Sequence, residues 1–263
     1  MGRAVRGWLC WLAVLLAAGS AHAHAHQSVI KIGGYDFPPY VMLSESNAQV
    51  SGLVPDLLDA LNAYQQRWQF KFVPTSTKRR YRDLMDGRYD MILFESREWG
   101  WHNHDLDSAP LGLSDAEVYV AQLSQAKDQS YFASFTGKNM ALFNGYHYQF
   151  AGFNANPEFL RKQFNATLTY SHESNLRMLE RGRVDMVVVT ESFLRRFLQN
   201  NLNLANVFLI SEKYDQVYRH EILARRGSAL SAAKLMELLQ GLNREGKLTP
   251  VLERHGLQNS LPK

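Results

Sequence analysis

The chain has 263 residues, of which 46% are apolar and 21% charged, with a formal net charge of +4. That is enough length and apolar content for one large or two modest globular domains with a real core. No stretch concentrates lysine and arginine among aromatics, which argues against a nucleic-acid partner, and the one cysteine, Cys10, excludes an internal disulfide.

In chain order, the first segment reads as a processing signal. Arg3 and Arg6 precede an apolar run from Trp8 to Ala18, and Gly19-Ser20-Ala21-His22-Ala23 supplies small residues at cleavage spacing. Residues 1–23 are expected to be a signal peptide, cut after Ala23 or Ala25. The run is too short to span a bilayer and no longer one follows. The expectation is a periplasmic protein without stable membrane insertion. Losing Arg3 and Arg6 leaves 27 basic against 25 acidic residues. His22, His24 and His26 fall mostly in the cleavage region. His102, His104 and Asp105 read as surface loop residues, since a metal site needs three or four converging ligands. No metal and no cofactor are expected.

Strands are expected at 29–34, 69–73 and 90–94, with helices at 52–64 and 77–86 between them. Leu53, Leu57, Leu58 and Leu61 recur at helical spacing. Tyr35-Asp36-Phe37-Pro38-Pro39-Tyr40 is a loop, because two prolines do not suit a central strand. This alternation predicts a parallel sheet. The plan then repeats, with strands at 139–144, 166–170, 184–189 and 207–210 and helices at 156–164, 173–181 and 191–199. Residues 117–121 and 211–217 read as crossings between two lobes. A strand at 218–224 and helices at 231–241 and 248–255 return to the first lobe. Lobe one is thus 27–117 plus 218–263, and lobe two is 122–210.

One pattern occurs twice. Residues 84–94 and 179–189 both have the form Leu-x-x-Gly-Arg-x-Asp-Met followed by three apolar residues. A helix ends at glycine, and the apolar run suits a strand buried on both faces. Two copies about a hundred residues apart predict paired lobes with a cleft between them.

These segments resemble a known family. The glycine-ended first strand, the aromatic-Pro-Pro-aromatic loop, Gly52-Leu53-Val54-Pro55-Asp56-Leu57-Leu58 and Gly87-Arg88-Tyr89-Asp90 are similar to the bacterial extracellular solute-binding proteins of family 3. Residues 138–145 resemble the opening of that family's second lobe, and Asn243-Arg244-Glu245-Gly246-Lys247-Leu248 its C-terminal signature. The resemblance implies an α/β, two-lobed periplasmic binding protein type II fold. Each lobe is a mostly parallel sheet flanked by helices, joined by two crossing hinge strands. It implies a monomeric, non-enzymatic protein that binds a small polar molecule, such as an amino acid, amine or organic acid, and hands it to an ABC transporter permease. Two alternatives remain: a cyclohexadienyl dehydratase-like enzyme, with Glu95 or Glu191 as acid or base, and a ligand sensor. Family members that bind α-amino acids carry Thr-x-x-Arg after the first repeat strand. This chain instead has Phe94-Glu95-Ser96-Arg97-Glu98-Trp99-Gly100-Trp101. Where lobe two of the family has an aspartate, this chain has Thr190, followed by Glu191.

Ligands of open parallel sheets bind beyond the carboxyl ends of the strands. That rule selects Tyr35, Phe37 and Tyr40 after the first strand, and Glu95, Arg97, Trp99 and Trp101 after the first repeat strand. It also selects Tyr146 and His147 at the opening of lobe two, and Thr190 and Glu191 after the second repeat strand. Phe37 matches the family's stacking aromatic, and Arg79 matches an arginine that points into the cleft in relatives. Each has a plainer reading: the tryptophans cap the core under their loop, and Glu95 and Arg97 form a solvated pair. Aromatic faces with Glu95 suit a cationic or ring-bearing ligand, whereas Arg97 suits a carboxylate.

Overall fold

Each copy of the repeat closes a helix and opens a central strand. In the computed structural model, which describes residues 27–43 and 49–258, Gly87 and Gly182 both adopt left-handed backbone, with φ of 73° and 65°. Gly87 N–H donates to the Leu84 carbonyl and Arg88 N–H to the Asp83 carbonyl; Gly182 and Arg183 bond Leu179 and Met178 in the same way. Both turns are Schellman motifs, which satisfy the last carbonyls of a helix. The repeat aspartates then act alike. Asp90 accepts from Lys31 N–H at 2.9 Å, and Asp185 from Asn139 N–H at 2.7 Å. One carboxylate holds the middle of β1 and the other the residue before β8, so the aspartates of the pattern are structural. The signal-peptide expectation lies outside the described residues.

The elements follow in chain order: β1 (Ser28–Gly34), β2 (Met42–Leu43), β3 (Val50–Ser51), α1 (Leu53–Tyr64), β4 (Trp68–Pro74), α2 (Arg80–Met85), β5 (Met91–Glu95), β6 (Leu106–Pro110) and β7 (Ala116–Gln122). After these come β8 (Met140–Phe143), α3 (Pro157–Phe164), β9 (Ala166–Thr169), α4 (His172–Glu180), β10 (Met186–Thr190), α5 (Glu191–Asn200) and β11 (Phe208–Val217). The chain finishes with β12 (Glu221–Arg225), α6 (Ala232–Arg244) and α7 (Thr249–Glu253). Two five-stranded sheets result, ordered β4-β1-β5-β12-β6 and β11-β7-β10-β8-β9. In the first, β4, β1 and β5 run parallel and β12 runs against its neighbours. In the second, β9, β8 and β10 run parallel, while β7 runs antiparallel to both β10 and β11.

The repeat strands are the buried centres. Every residue of β5 and β10 is buried, as expected of strands covered on both faces. Helix starts follow the side-chain chemistry: Asn156, Ser171 and Ser231 cap α3, α4 and α6. At α1 the cap is a loop. Leu53 and Val54 N–H groups donate to the Pro39 and Tyr40 carbonyls, which anchors the Tyr35–Tyr40 loop over the end of β1.

Three elements differ from the sequence reading. The returning crossing is not a separate segment, because β11 continues through it to Val217. It does so with register shifts at Ile210/Tyr214 and Tyr214/Gln216, and such bulges bend a strand. The edge strand β6 was not expected, since Leu-Asp-Ser-Ala-Pro lacks a β-branched or aromatic pattern. The helix read over 77–86 narrows to the six residues of α2. Among the described residues no helix is long and apolar enough to cross a membrane.

Candidate ligand-binding crevice

The carboxyl ends of β1, β5, β8 and β10 face one another, and aromatic rings fill the space between them. Phe37 is the hub. Its ring lies 5.7 Å from Trp99, 5.4 Å from Tyr146 and 5.9 Å from Tyr218, all edge-on. Lobe one supplies Tyr35, Phe37, Arg80 and Trp99, and lobe two supplies Gly145, Tyr146 and His147. Glu117 and Gln216 come from the paired strands β7 and β11 of the second sheet, and Tyr218 follows β11. The remaining space is ≈ 10 Å³, room for about one water. In this form the crevice has no room for a solute larger than water.

The lobes touch closely. A Cβ built on Gly145, whose φ is +90°, would lie 2.6 Å from Thr77 Oγ1, so only glycine allows this approach. Tyr81 Oη meets His147 Nε2 at 3.2 Å across the gap, and His147 Nδ1 lies 2.7 Å from the Phe153 carbonyl. Burial, with help from the Arg80 charge, lowers the His147 pKa to about 4.

Two acids of opposite circumstance lie here, Glu117 at the crevice wall and Glu95 buried behind Arg80. Glu95 ends β5, where Phe94 has φ of 61° and the pairing with β12 shifts register. This bulge turns Glu95 inward. Its carboxylate sits 3.3 Å from Arg80 Nε and accepts from Trp101 Nε1 at 2.8 Å. Arg80 also donates to the Thr77 carbonyl and, at 3.0 Å, to the Trp99 carbonyl. Its guanidinium lies 4.9 Å from the Tyr35 ring and 4.4 Å from that of Tyr81. Burial pushes the Glu95 carboxyl up, and Arg80 and Trp101 pull it back. Glu117 has no such cation. It accepts from Gln216 Nε2 at 2.7 Å, and burial together with Asp215 pushes its carboxyl well above the usual range.

The remaining sequence candidates fall elsewhere. Tyr40 lies behind Phe37, donates to Asp115 at 2.8 Å and meets His220 Nε2 at 2.8 Å. Trp101 is fully buried beneath the loop, holding Glu95. Arg79 points outward, its side chain 57% exposed and 3.5 Å from Asp83; Arg80, one residue on, takes the inward position. Arg97 faces a neighbouring hollow, 3.7 Å from Glu221 and 3.1 Å from Ser108 Oγ. Thr190 is buried 3.4 Å from His172 Nε2, and Glu191 pairs with Arg195 at 3.4 Å outside the crevice. The sequence reading thus missed Arg80, Glu117, Gly145, Gln216 and Tyr218. Of these, Glu117 carried a readable signal, as a charge opening the apolar run Val118–Ala121. Among the described residues no three metal-ligating side chains converge.

Comparison with known proteins matches part of the chain by sequence and most of it by structure. Residues 30–97 match the family model of the bacterial extracellular solute-binding proteins, family 3. No curated protein matches the sequence. Solved structures match it over nearly all its described length. A substrate-binding protein of an ABC uptake transporter from Streptococcus pneumoniae, with bound histidine, is 18% identical with a TM-score of 0.67, over 86% of this chain and 91% of that one. A histidine kinase sensor domain with similarity to periplasmic binding proteins is 19% identical with a TM-score of 0.64, over 89% and 99%. An ancestral amino acid-binding protein, a precursor of cyclohexadienyl dehydratase, is 14% identical with a TM-score of 0.60, over 86% and 94%. At these identities the likeness establishes the fold, which is that of the periplasmic binding proteins.

The buried histidines yield an expected pH dependence. Burial lowers the His172 pKa to about 3, below its unfolded value of about 6.5. Below pH 6.5 the unfolded chain binds the extra proton, so the stabilising contribution is complete above that pH and is lost on acidification. Relative to His172→Phe, the native protein should lose about 1.4 kcal/mol per pH unit between pH 6.5 and the folded pKa. Urea melts across this range would check it; parallel stability curves would show that His172 stays charged when folded.

Proposed function

We propose that this protein captures a small polar solute between its lobes in the periplasm and delivers it to an ABC transporter permease. The observation that carries this reading is the crevice. It lies beyond the carboxyl ends of both sheets, is lined from both lobes, and is bordered by β7 and β11, which in this reading join them. Residues 117–121 and 211–217 serve as the hinge, with lobe one at 27–117 and 218–263 and lobe two at 122–210. A solute touching both lobes binds the closed form better, and so shifts the population toward it. Hinge closure of this kind is a known repertoire. The protein acts as a monomer and carries out no chemistry on its solute. Glu95, the acid considered for catalysis, is held by Arg80 and Trp101.

Trp99 reports on the crevice, since its Nε1 donates to Gln216 Oε1 at 3.0 Å. Native mass spectrometry of protein purified from exporting cells is expected to show one co-purifying small molecule. Returning that molecule to stripped protein should change Trp99 fluorescence, and Trp99→Phe should abolish the change. Release of a chemically altered product would instead favour an enzyme. The likeness to a kinase sensor domain supports a second reading, in which closure signals rather than delivers. Solute uptake lost on deletion of the gene separates transport from signalling.

A further inference from the structure

We propose that the solute is a compact organic cation without a carboxylate, an alkylammonium or a guanidinium, held against Glu117 by the rings of Phe37, Trp99, Tyr146 and Tyr218. This rests on the crevice being the binding site. It follows from a count of charges at the crevice wall.

A zwitterionic amino acid needs a cation for its carboxylate. Arg80 is the guanidinium at the wall, and it is already committed. Its Nε faces Glu95 at 3.3 Å, and its terminal nitrogens donate to the Thr77 and Trp99 carbonyls. Rotating it toward a ligand would strand Glu95, which is fully buried. His147 supplies no charge either. Its Nδ1 is engaged by the Phe153 carbonyl, and burial keeps the ring neutral. The loop that should carry a carboxylate-gripping arginine sends Arg97 to Glu221 and Ser108 instead.

The opposite holds for a ligand cation. Glu117 is 1% exposed, and its hydrogen-bond partners, Gln216 and Tyr218, are neutral. The acids Asp215 and Asp115 both push its carboxyl up. Those two have their own donors: Asp215 accepts from Tyr119 Oη and from the Gln149 and Phe150 amides, and Asp115 from Tyr40 and Ser192. Glu117 is therefore the acid at the wall lacking a counter-charge. Burial and the neighbouring acids hold it in its neutral form, and a ligand cation beside it would stabilise the carboxylate and take the place of its proton. Four aromatic rings, Phe37, Trp99, Tyr146 and Tyr218, line the same crevice, and the faces of such rings attract ammonium and guanidinium groups. Gln216 links the parts. Its Nε2 donates to Glu117 and to the His147 carbonyl at 2.6 Å, and its Oε1 accepts from Trp99. A ligand cation entering as the lobes part replaces the Gln216 amide at Glu117.

The test uses pairs of probes that differ only by a carboxylate: agmatine with arginine, cadaverine with lysine, and histamine with histidine. Titration calorimetry on the mature protein should show one decarboxylated member binding about 100-fold more tightly than its amino acid. Glu117→Gln should weaken that amine about 100-fold while leaving the thermal midpoint near the native value. Equal or tighter binding of the amino acid, unchanged amine affinity in Glu117→Gln, or no amine binding at all would each overturn the proposal. A carboxylate-bearing or neutral solute that still alters Trp99 fluorescence overturns the cation class and leaves the clamp standing. A crevice that no solute enters, including whatever co-purifies, overturns both.

Discussion

Arg80→Met is expected to destabilise the fold by about 3–5 kcal/mol, because it leaves the Glu95 carboxylate buried without a cation. Both groups are almost wholly shielded, with side-chain exposures of 2% and 0%, so water cannot screen the loss. Adding Glu95→Gln removes the stranded charge and keeps an acceptor for Trp101 Nε1. The double variant should therefore recover most of the loss. Denaturant melts of the native protein, both single variants and the double variant measure the coupling directly. Single effects that simply add would mean that the pair is not an energetic unit. The pair owes its place to three local facts. Arg79 and Arg80 N–H groups both bond the Ser76 carbonyl, which starts α2 and sets its phase. The bulge at Phe94 aims Glu95 inward. The Trp99 carbonyl receives Arg80 from the following loop.

Gly145→Val is expected to weaken solute binding by about 5- to 150-fold, the equivalent of 1–3 kcal/mol of overpacking in the closed state. The added side chain meets Thr77 in the form described; in the proposed clamp it is free of Thr77 once the lobes part, so the clash penalises closure selectively. The strain of a branched residue at φ of +90° acts on both forms and lowers overall stability instead. The two effects separate by experiment. Adding Thr77→Gly should restore affinity for the co-purifying solute without restoring the melting temperature. Affinity that stays low in the double variant would show that Gly145 acts through its backbone alone.

Much of the frame was legible because it is written in local chemistry. Glycine turns, side-chain caps and all-apolar strands announce β5, β10 and the helices before them. The duplication was visible for the same reason, since Leu84–Asp90 and Leu179–Asp185 each need the same turn and the same aspartate. β6 was not legible, because Leu106–Pro110 owes its strand to β12 and Asp107, which accepts from Ala232 N–H, not to its own pattern. The site divides in the same way. Phe37, Trp99, Tyr146 and His147 follow from the rule for strand ends. Arg80 was missed by one residue, which on a helix is a turn of about 100° and a different face. Glu117 and Gln216 lie 99 residues apart and meet only because β7 pairs with β11, a contact that neither strand's own sequence announces. Glu95 was found as an acid at the right strand end. Its role changed because its partner comes from another element.

The central claim is that two lobes shut on one crevice, and a pair of spin labels tests it most directly. Cysteines introduced at the exposed positions Lys78 and Asn154 place one label on each lobe, and the chain's own cysteine, Cys10, is replaced by serine so that only these two positions carry labels. Pulsed dipolar distances on protein stripped of solute should include a second, longer separation that collapses to the short one when the solute returns. A single short distance, unchanged by stripping, would show a fused molecule and contradict the account.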